Sequence, residues 1–145
     1  MDEPEVAPSV RPVDLRDYVR FDPKAPVRVR VHATDVLTLD LLCLEPGQAS
    51  GALGHPDCDV AYTVVGGNGW FTTTEGEVGL GPLGAVVVPA GIDHHVENRT
   101  ADPLVVVATG APPDVPADQV TTDEPVERTE GVVHRPKGRR RRGRG

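Results

Sequence analysis

The chain has few aromatic residues and only two cysteines. Phe, Trp and Tyr make up 3% of its 145 residues, so its core has to be built mainly from aliphatic side chains. Cys43 lies in an apolar run and Cys58 lies in a polar loop. Two such cysteines do not provide the framework of a small disulfide-rich protein. The composition therefore favours a core rich in valine and leucine that does not depend on disulfides.

Long apolar runs are missing as well. No stretch approaches the roughly 20 apolar residues that cross a bilayer. The acidic start, Met-Asp-Glu-Pro-Glu, lacks the basic residues and the apolar block of a secretory signal. We therefore expect a cytoplasmic protein that has no membrane partner.

What the sequence does contain is glycine, proline and about eight short β-forming runs. Residues Val27 to Val31 alternate valine with arginine, which predicts a strand with one face in water. Residues Val60 to Val65 lead into a glycine-rich turn, which predicts a hairpin with Trp70 to Thr74. Short, closely spaced strands separated by turns are typical of a barrel or jelly roll. The sequence therefore predicts an all-β fold.

The composition also predicts three regions. Residues 1–26 form an N-terminal arm, partly disordered, with a short helix or turn capped by Asp14. Residues 27–111 form the barrel. Residues 112–145 form a disordered acidic linker and an Arg-rich tail, because they have too few large apolar residues for a core. The run Arg139–Arg142 could contact nucleic acid, but no stacking aromatics interleave with it, so we do not expect a nucleic-acid partner.

Two spaced motifs carry the strongest information. Pro89, Gly91, His94 and Asn98 fit the pattern G-x5-P-x-G-x2-H-x3-N, with Leu83 in place of its first glycine. Side chains alternate along a strand, so His94 and Val96 share one face, whereas His95 and Glu97 share the other.

The other motif lies upstream. The pattern G-x5-H-x-H-x(3,4)-E-x6-G can be laid on Gly47, Leu53, His55, Val60 and Gly67 without violating a spacing. Together the two patterns resemble the two signatures of the cupin superfamily, and the chain is similar to its small, single-domain, conserved-barrel members. This resemblance implies a cupin-type jelly-roll barrel.

The resemblance also implies a site, and here the sequence departs from the family. Metal-binding cupins hold one divalent ion through two histidines and a glutamate of the first signature and a histidine of the second. Here Leu53 and Val60 replace a histidine and the glutamate, so only His55 and His94 remain as metal ligands. Catalytic zinc sites typically use three protein ligands. We therefore expect a degenerate metal site and no firmly held cofactor, the alternative being a weakly bound divalent metal such as Fe, Mn, Zn or Ni.

The candidate catalytic residues are His55 and His94, since a neutral imidazole both donates and accepts hydrogen bonds. The barrel alignment gives a set of inward positions that should contact a ligand: Leu53, His55, Val60, Tyr62, Val64 and His94.

The preferred hypothesis is a small cupin that binds or transforms a small organic molecule in an apolar barrel pocket, without a tightly held metal. One alternative is a metal-dependent enzyme of the oxygenase or isomerase type that uses His55 and His94. A second is a non-catalytic interaction module with a nucleic-acid-contacting tail. Whether the protein is an enzyme stays open.

We also expect a homodimer, because Val27 to Val31 would leave an unprotected strand edge.

Overall fold

The computed structural model describes residues 9–114 and 122–125. The predictions made for residues 1–8, for 115–121 and for 126–145 lie outside the described residues. Those predictions include the basic tail with Arg139–Arg142.

The described chain folds into eight strands and one short 3-10 helix. The helix spans Leu15–Tyr18 and begins after Asp14, whose side chain accepts a hydrogen bond from the Arg16 backbone nitrogen. The strands are β1 (Val27–Ala33), β2 (Thr38–Leu44), β3 (Asp59–Gly66), β4 (Gly69–Thr73), β5 (Gly76–Leu80), β6 (Ala85–Val88), β7 (His94–Glu97) and β8 (Leu104–Ala111).

These strands form two antiparallel sheets. One has the order β1-β2-β8-β3-β6 and the other has the order β5-β4-β7. The prediction of an all-β jelly-roll barrel is confirmed. The described part of the chain has no helix with the length and apolar character needed to span a membrane.

The predicted hairpin between β3 and β4 is wrong. β3 pairs with β6 and β8, whereas β4 pairs with β5 and β7 in the opposite sheet. The β3–β8 register shifts between Val64 and Gly66, the last residue of β3 to pair with β8. Gly67 then turns with φ of 82°, and a Cβ there would lie 2.2 Å from the Pro103 carbonyl oxygen. The glycines therefore send the chain across to the other sheet instead of folding it back.

The core lies between the sheets. Its members are buried apolar residues that point inward from both sheets: Leu42, Leu44, Val60, Tyr62, Val64, Phe71, Val88, Val96, Leu104, Val106 and Ala108. Phe71 is 1% exposed, so it is the inward member of the adjacent Trp70–Phe71 pair. We call the end of the core that contains Leu44, Val64 and Leu104 the closed end.

β1 has the two distinct faces that its alternating pattern predicts, but its arginine face is only partly in water, since Arg28 is exposed and Arg30 is half-buried. Val29 and Val31 are buried on the outside of the sheet, where they pack with Tyr18, Leu41 and Cys43 under the N-terminal arm. Because side chains alternate along a strand, Arg28 and Arg30 point the other way, toward Asp40 of β2. The arm covers the valine face, and the arginine face points toward the barrel.

The edge of β1 is also occupied at Arg30. The backbone nitrogen of Arg30 donates to the Asp123 carboxylate at 2.7 Å, and the Asp123 nitrogen donates to the Arg30 carbonyl at 2.8 Å. The expectation that this edge is unprotected is therefore wrong at Arg30. The homodimer stays a prediction.

Candidate functional site

The second motif positions the site through backbone contacts. Gly91 adopts φ of 87° and donates its backbone N–H to the His55 carbonyl at 2.8 Å. Asn98 is fully buried, and its amide donates to the carbonyls of Leu44 and Asp102. Asp59 accepts from the Ala90 nitrogen at 2.8 Å. These contacts fix the start of β7 against the His55 loop, and so they place His94.

His94 is held by two hydrogen bonds inside the barrel. The residue is 5% exposed. Nδ1 lies 2.8 Å from the Ile92 carbonyl oxygen, and Nε2 lies 2.7 Å from the Tyr62 hydroxyl oxygen. A carbonyl can only accept, so Nδ1 carries the proton. In the neutral ring Nε2 is then an acceptor, and the Tyr62 hydroxyl donates its proton to it.

The second ring nitrogen of His94 is therefore not free for another partner. The other predicted histidine, His55, accepts a hydrogen bond on Nδ1 from the Asp57 nitrogen at 3.0 Å. Tyr62 connects the two residues, because it contacts His94 and also lines the same pocket as His55. The sequence predicted Tyr62 as a pocket residue but did not predict this contact.

The side chains at this site do not match the set of metal ligands that the fold family implies. Across residues 9–114 and 122–125, no three His, Cys, Asp or Glu side chains cluster closely enough to hold a metal ion. Leu53 and Val60 occupy two of the four ligand positions with apolar side chains that pack on or in the core. Binding a metal at His94 Nε2 would also require Tyr62 to give up its hydrogen bond.

A cavity of about 80 Å³ opens beside Tyr62, at what we call the mouth of the barrel. Four of the predicted ligand-contacting residues line it, namely Leu53, His55, Val60 and Tyr62. Val64 does not; it is buried deeper in the core. His94 is not part of the lining, and it meets the cavity through Tyr62.

The prediction of a mostly apolar pocket is wrong for one wall. Arg28, Thr38 and Asp114 line it, along with Gly110. None of these residues was predicted from the sequence. The cue that could have revealed them is Asp40, a single acid inside the apolar run Leu37 to Leu44. An acid in such a run requires a buried partner, and the nearby arginines of β1 provide two.

The polar wall is an ion-pair network around Asp40, which is 1% exposed. Arg28 donates from Nε to Asp40 Oδ2 at 2.8 Å. Arg30 donates from Nε and Nη2 to Asp40 at 2.9 and 3.0 Å. Arg30 also contacts Asp114 at 3.0 and 3.2 Å. These bonds raise the pKa of Arg30 and lower the pKa of Asp114.

Two other titratable groups at the mouth, Tyr62 and Cys58, have raised pKa values. Burial raises the pKa of Tyr62 to about 12, and nearby Arg28 opposes this rise. Burial also raises the pKa of the Cys58 thiol, and the carboxylates of Asp114, Asp57 and Asp59 add to the rise. Tyr62 is therefore a neutral hydrogen-bonding group at neutral pH, and Cys58 is not an activated thiolate.

A larger groove of about 590 Å³ lies on the outside, near the end of β4. It is open to solvent, and its lining consists of three threonines, a His-containing segment and small residues of the facing loop: Thr72, Thr73, Thr74, Asp93, His94, His95, Ala49, Gly51 and Ala52. The predicted site residue His94 therefore lines this groove, but both of its ring nitrogens are engaged, by the Ile92 carbonyl and the Tyr62 hydroxyl. The smaller cavity at the mouth is the better candidate site, because charged and polar side chains converge there.

Comparison with known proteins agrees with this architecture. The family model described as the cupin domain matches residues 40–110. The crystal structure of TT1209 from Thermus thermophilus superposes with a TM-score of 0.68 at 30% identity, covering 71% of this chain and 98% of that one. An RmlC-like cupin protein from Desulfovibrio desulfuricans superposes with a TM-score of 0.66 at 23% identity, covering 72% and 99% of the two chains.

A third similar structure is KdgF from Halomonas sp., with a TM-score of 0.58 at 21% identity over 66% of this chain and 86% of that one. A search of curated proteins finds no match. The chain belongs to the cupin superfamily. The family defines the fold, while the activity has to be argued from the site.

Proposed function

We propose that this cupin binds or transforms a small organic molecule in the cavity at the mouth of its barrel, without a tightly held metal ion. The observation that carries the proposal is the 2.7 Å contact between the Tyr62 hydroxyl and His94 Nε2. The ring nitrogen that could coordinate a metal is used in a buried hydrogen bond instead.

Two further features support a site for an organic ligand. Leu53 and Val60 bring apolar surface to the cavity, whereas Arg28, Thr38 and Tyr62 bring hydrogen-bonding groups. A few polar groups on an otherwise apolar wall orient a bound molecule. At about 80 Å³, the cavity is smaller than the roughly 300 Å³ at which drug-sized pockets begin, so the ligand or its inserted part has only a few heavy atoms.

The metal-dependent alternative receives less support. It needs His94 to release Tyr62, and it needs at least one further ligand that the described residues do not bring close. The nucleic-acid alternative depends on the basic tail, which lies outside the described residues. Neither alternative is favoured by a contact at the mouth.

Rebuilding the family's ligand set tests the metal-free part of the proposal. Leu53→His and Val60→Glu, combined with Tyr62→Phe, take the number of ligands from two to four and release His94 Nε2. Equilibrium dialysis with Mn²⁺ should show tight binding by this triple variant, weaker binding by the double variant that keeps Tyr62, and the weakest binding by the natural protein. Natural protein that binds Mn²⁺ as tightly as the triple variant would overturn the proposal.

Ligand binding itself is tested on metal-free protein. After treatment with EDTA, melting is followed against a panel of small acids, amides, alcohols and sugars, because a ligand of the folded state raises the melting temperature. Tyr62→Phe should weaken the stabilisation by the best compound, whereas His95→Gln should not, because His95 lies on the outer face of β7. Stabilisation that appears only when metal is added back would contradict the proposal.

A further inference from the structure

The inward face of β1 carries Arg28. The ion pair that it makes with Asp40 does not use all of its N–H donors. Arginine has five N–H donors. The Nε donor of Arg28 is used on Asp40, and Arg28 also interacts with the Tyr62 hydroxyl, which lowers the pKa of that group, so donors remain on its terminal nitrogens. Arg30 differs, since it contacts both Asp40 and Asp114 through Nε and both terminal nitrogens. Arg28 is the arginine that lines the cavity, so its terminal donors can meet a ligand.

Two arginines and two aspartates make the network at the mouth neutral overall, but Arg28 itself is paired only with Asp40, which it shares with Arg30. Arg28 and Arg30 share the single buried carboxylate of Asp40, which gives this inner set a net charge of +1. Asp114 is the second acid of the network, but it is exposed at the rim and is bound by Arg30. No described acid other than Asp40 contacts Arg28 within ion-pair distance.

The neighbours of Arg28 suit a carboxylate. The Tyr62 hydroxyl donates to His94 and stays protonated at neutral pH, so it adds no negative charge. Thr38 adds a hydroxyl donor, and Gly110 leaves space beside it because it has no side chain. Guanidinium and carboxylate groups pair through two parallel hydrogen bonds, which gives both affinity and orientation.

We propose that the cavity at the mouth selects a small organic acid and that Arg28 binds its carboxylate. This inference rests on the proposed function, because it assigns a chemical class to the molecule that the barrel binds. Arg28 is the specificity-determining residue, and Asp40 is a positioning residue that holds its Nε.

Paired probes that differ only in charge test the inference on the full chain without any substitution. Calorimetric titration with L-lactate and with lactamide compares a carboxylate with an amide of the same size. Lactate should bind about tenfold or more tightly than lactamide, since a hydrogen bond to a charged group contributes about 1.5–3 kcal/mol. Equal affinities, tighter binding of the amide, or no binding of lactate would overturn the inference.

Substitutions then test the residue. Arg28→Gln should weaken lactate binding about tenfold or more and should leave lactamide nearly unaffected. Arg28→Lys, which keeps the charge but loses the forked geometry, should give an intermediate loss. Arg99→Gln is the matched control, because Arg99 is 39% exposed where Arg28 is 40% exposed and lies over Trp70 on the other sheet. Unchanged lactate affinity in a folded Arg28→Gln variant would remove Arg28 from the site.

A variant with the opposite effect adds a second check. Asp114→Asn removes a rim charge that repels an entering acid, so lactate affinity should rise, by up to about fivefold for an exposed charge. A loss of affinity would show that Asp114 helps to bind the ligand, against the inference.

Failure of this inference and failure of the proposed function give different results. If lactamide binds metal-free protein and lactate does not, the acid assignment fails while the organic-ligand site stands. If lactate binds only after metal is restored, the metal-free function fails.

Discussion

The closed end and the mouth of the barrel are built by neighbouring inward positions of the same strands. On β2, Leu42 and Leu44 lie in the core, whereas Asp40, the next inward residue, lies in the ion-pair network. On β3, Val64 lies at the closed end, and Tyr62, the next inward residue, lies at the mouth. All of these side chains are less than 4% exposed, so burial does not distinguish the two ends. What distinguishes them is that the buried side chains of the mouth, Asp40 and Tyr62, are polar and have hydrogen-bonding partners.

The two ends of the barrel therefore depend on different interactions. The closed end depends on packing, and its residues contribute stability through the apolar area that they bury. The mouth depends on pairing, because a buried charge or hydroxyl is costly unless it is satisfied. His94 lies in the interior, and the Tyr62 hydroxyl satisfies its Nε2.

The largest expected effect comes from breaking the pairing at the mouth. Asp40→Asn removes the carboxylate that two arginines share, and it should lower the free energy of unfolding by about 3–5 kcal/mol. Leu104→Ala at the closed end should cost a comparable 2–5 kcal/mol by leaving a cavity, yet keep lactate affinity. Urea unfolding and lactate titration of both variants separate the two ends.

Two controls accompany this prediction. Glu77→Gln breaks a carboxylate–arginine pair on the exposed outer face and should leave unfolding nearly unchanged. Asp40→Asn with the same stability as the natural protein would mean that the network does not organise the mouth.

The second prediction uses the alkaline side of the stability curve. Tyr62 has its pKa raised from 10 to about 12 in the folded protein, so its contribution to stability is complete below pH 10 and is lost as pH rises from 10 to 12. Two units correspond to about 3 kcal/mol. The stability difference between natural protein and Tyr62→Phe should shrink by up to that amount across this window.

Unfolding in urea at several pH values measures this loss, and the ultraviolet absorbance of phenolate follows the ionisation. Subtracting the titration of Tyr62→Phe, which retains Tyr18, isolates Tyr62. Ionisation near pH 10, without any parallel loss of stability, would place Tyr62 outside the buried hydrogen bond.

The smallest effect is expected at the closed end, where Leu83 stands at the first position of the second motif. Leu83 has φ of 73°, a left-handed conformation that costs a residue with a Cβ about 1–2 kcal/mol. It is 87% exposed, so its side chain contributes little packing. Leu83→Gly should therefore stabilise the fold by up to about 1 kcal/mol and leave lactate binding unchanged.

Leu83→Ala is the matched control, because alanine keeps the left-handed strain and should bring no gain. Thermal melting of the three proteins is sufficient. A glycine variant less stable than the natural protein would contradict the strain at this turn.

The fold and half of the site were predictable from the sequence. Spacing identified Pro89, Gly91, His94 and Asn98, because each serves a local need such as a turn, a strand start or a buried amide. Alternation placed Tyr62 and Val64 on the same strand face as Val60, and the resemblance to the cupin signatures implied that this face points inward. These inferences are local, and they depend on backbone geometry that neighbouring residues determine.

The other half of the site depends on which face of β1 points into the barrel, and alternation alone does not decide that. The alternating valines and arginines predict two distinct faces but not their partners. The N-terminal arm buries the valines, and Asp40 binds the arginines. The same limit produced the wrong hairpin after β3, since a glycine-rich turn can reverse a strand or send it to another sheet.

The central claim is that Tyr62, and not a metal ion, holds His94 at the mouth of the barrel. Elemental analysis of the natural protein, purified without a histidine tag, tests it most directly when the His94→Ala variant is measured beside it. We predict much less than one Fe, Mn, Zn or Ni per chain in the natural protein and no dependence of that content on His94. Close to one metal ion per chain, lost in His94→Ala, would contradict the claim and favour a metal-dependent cupin enzyme.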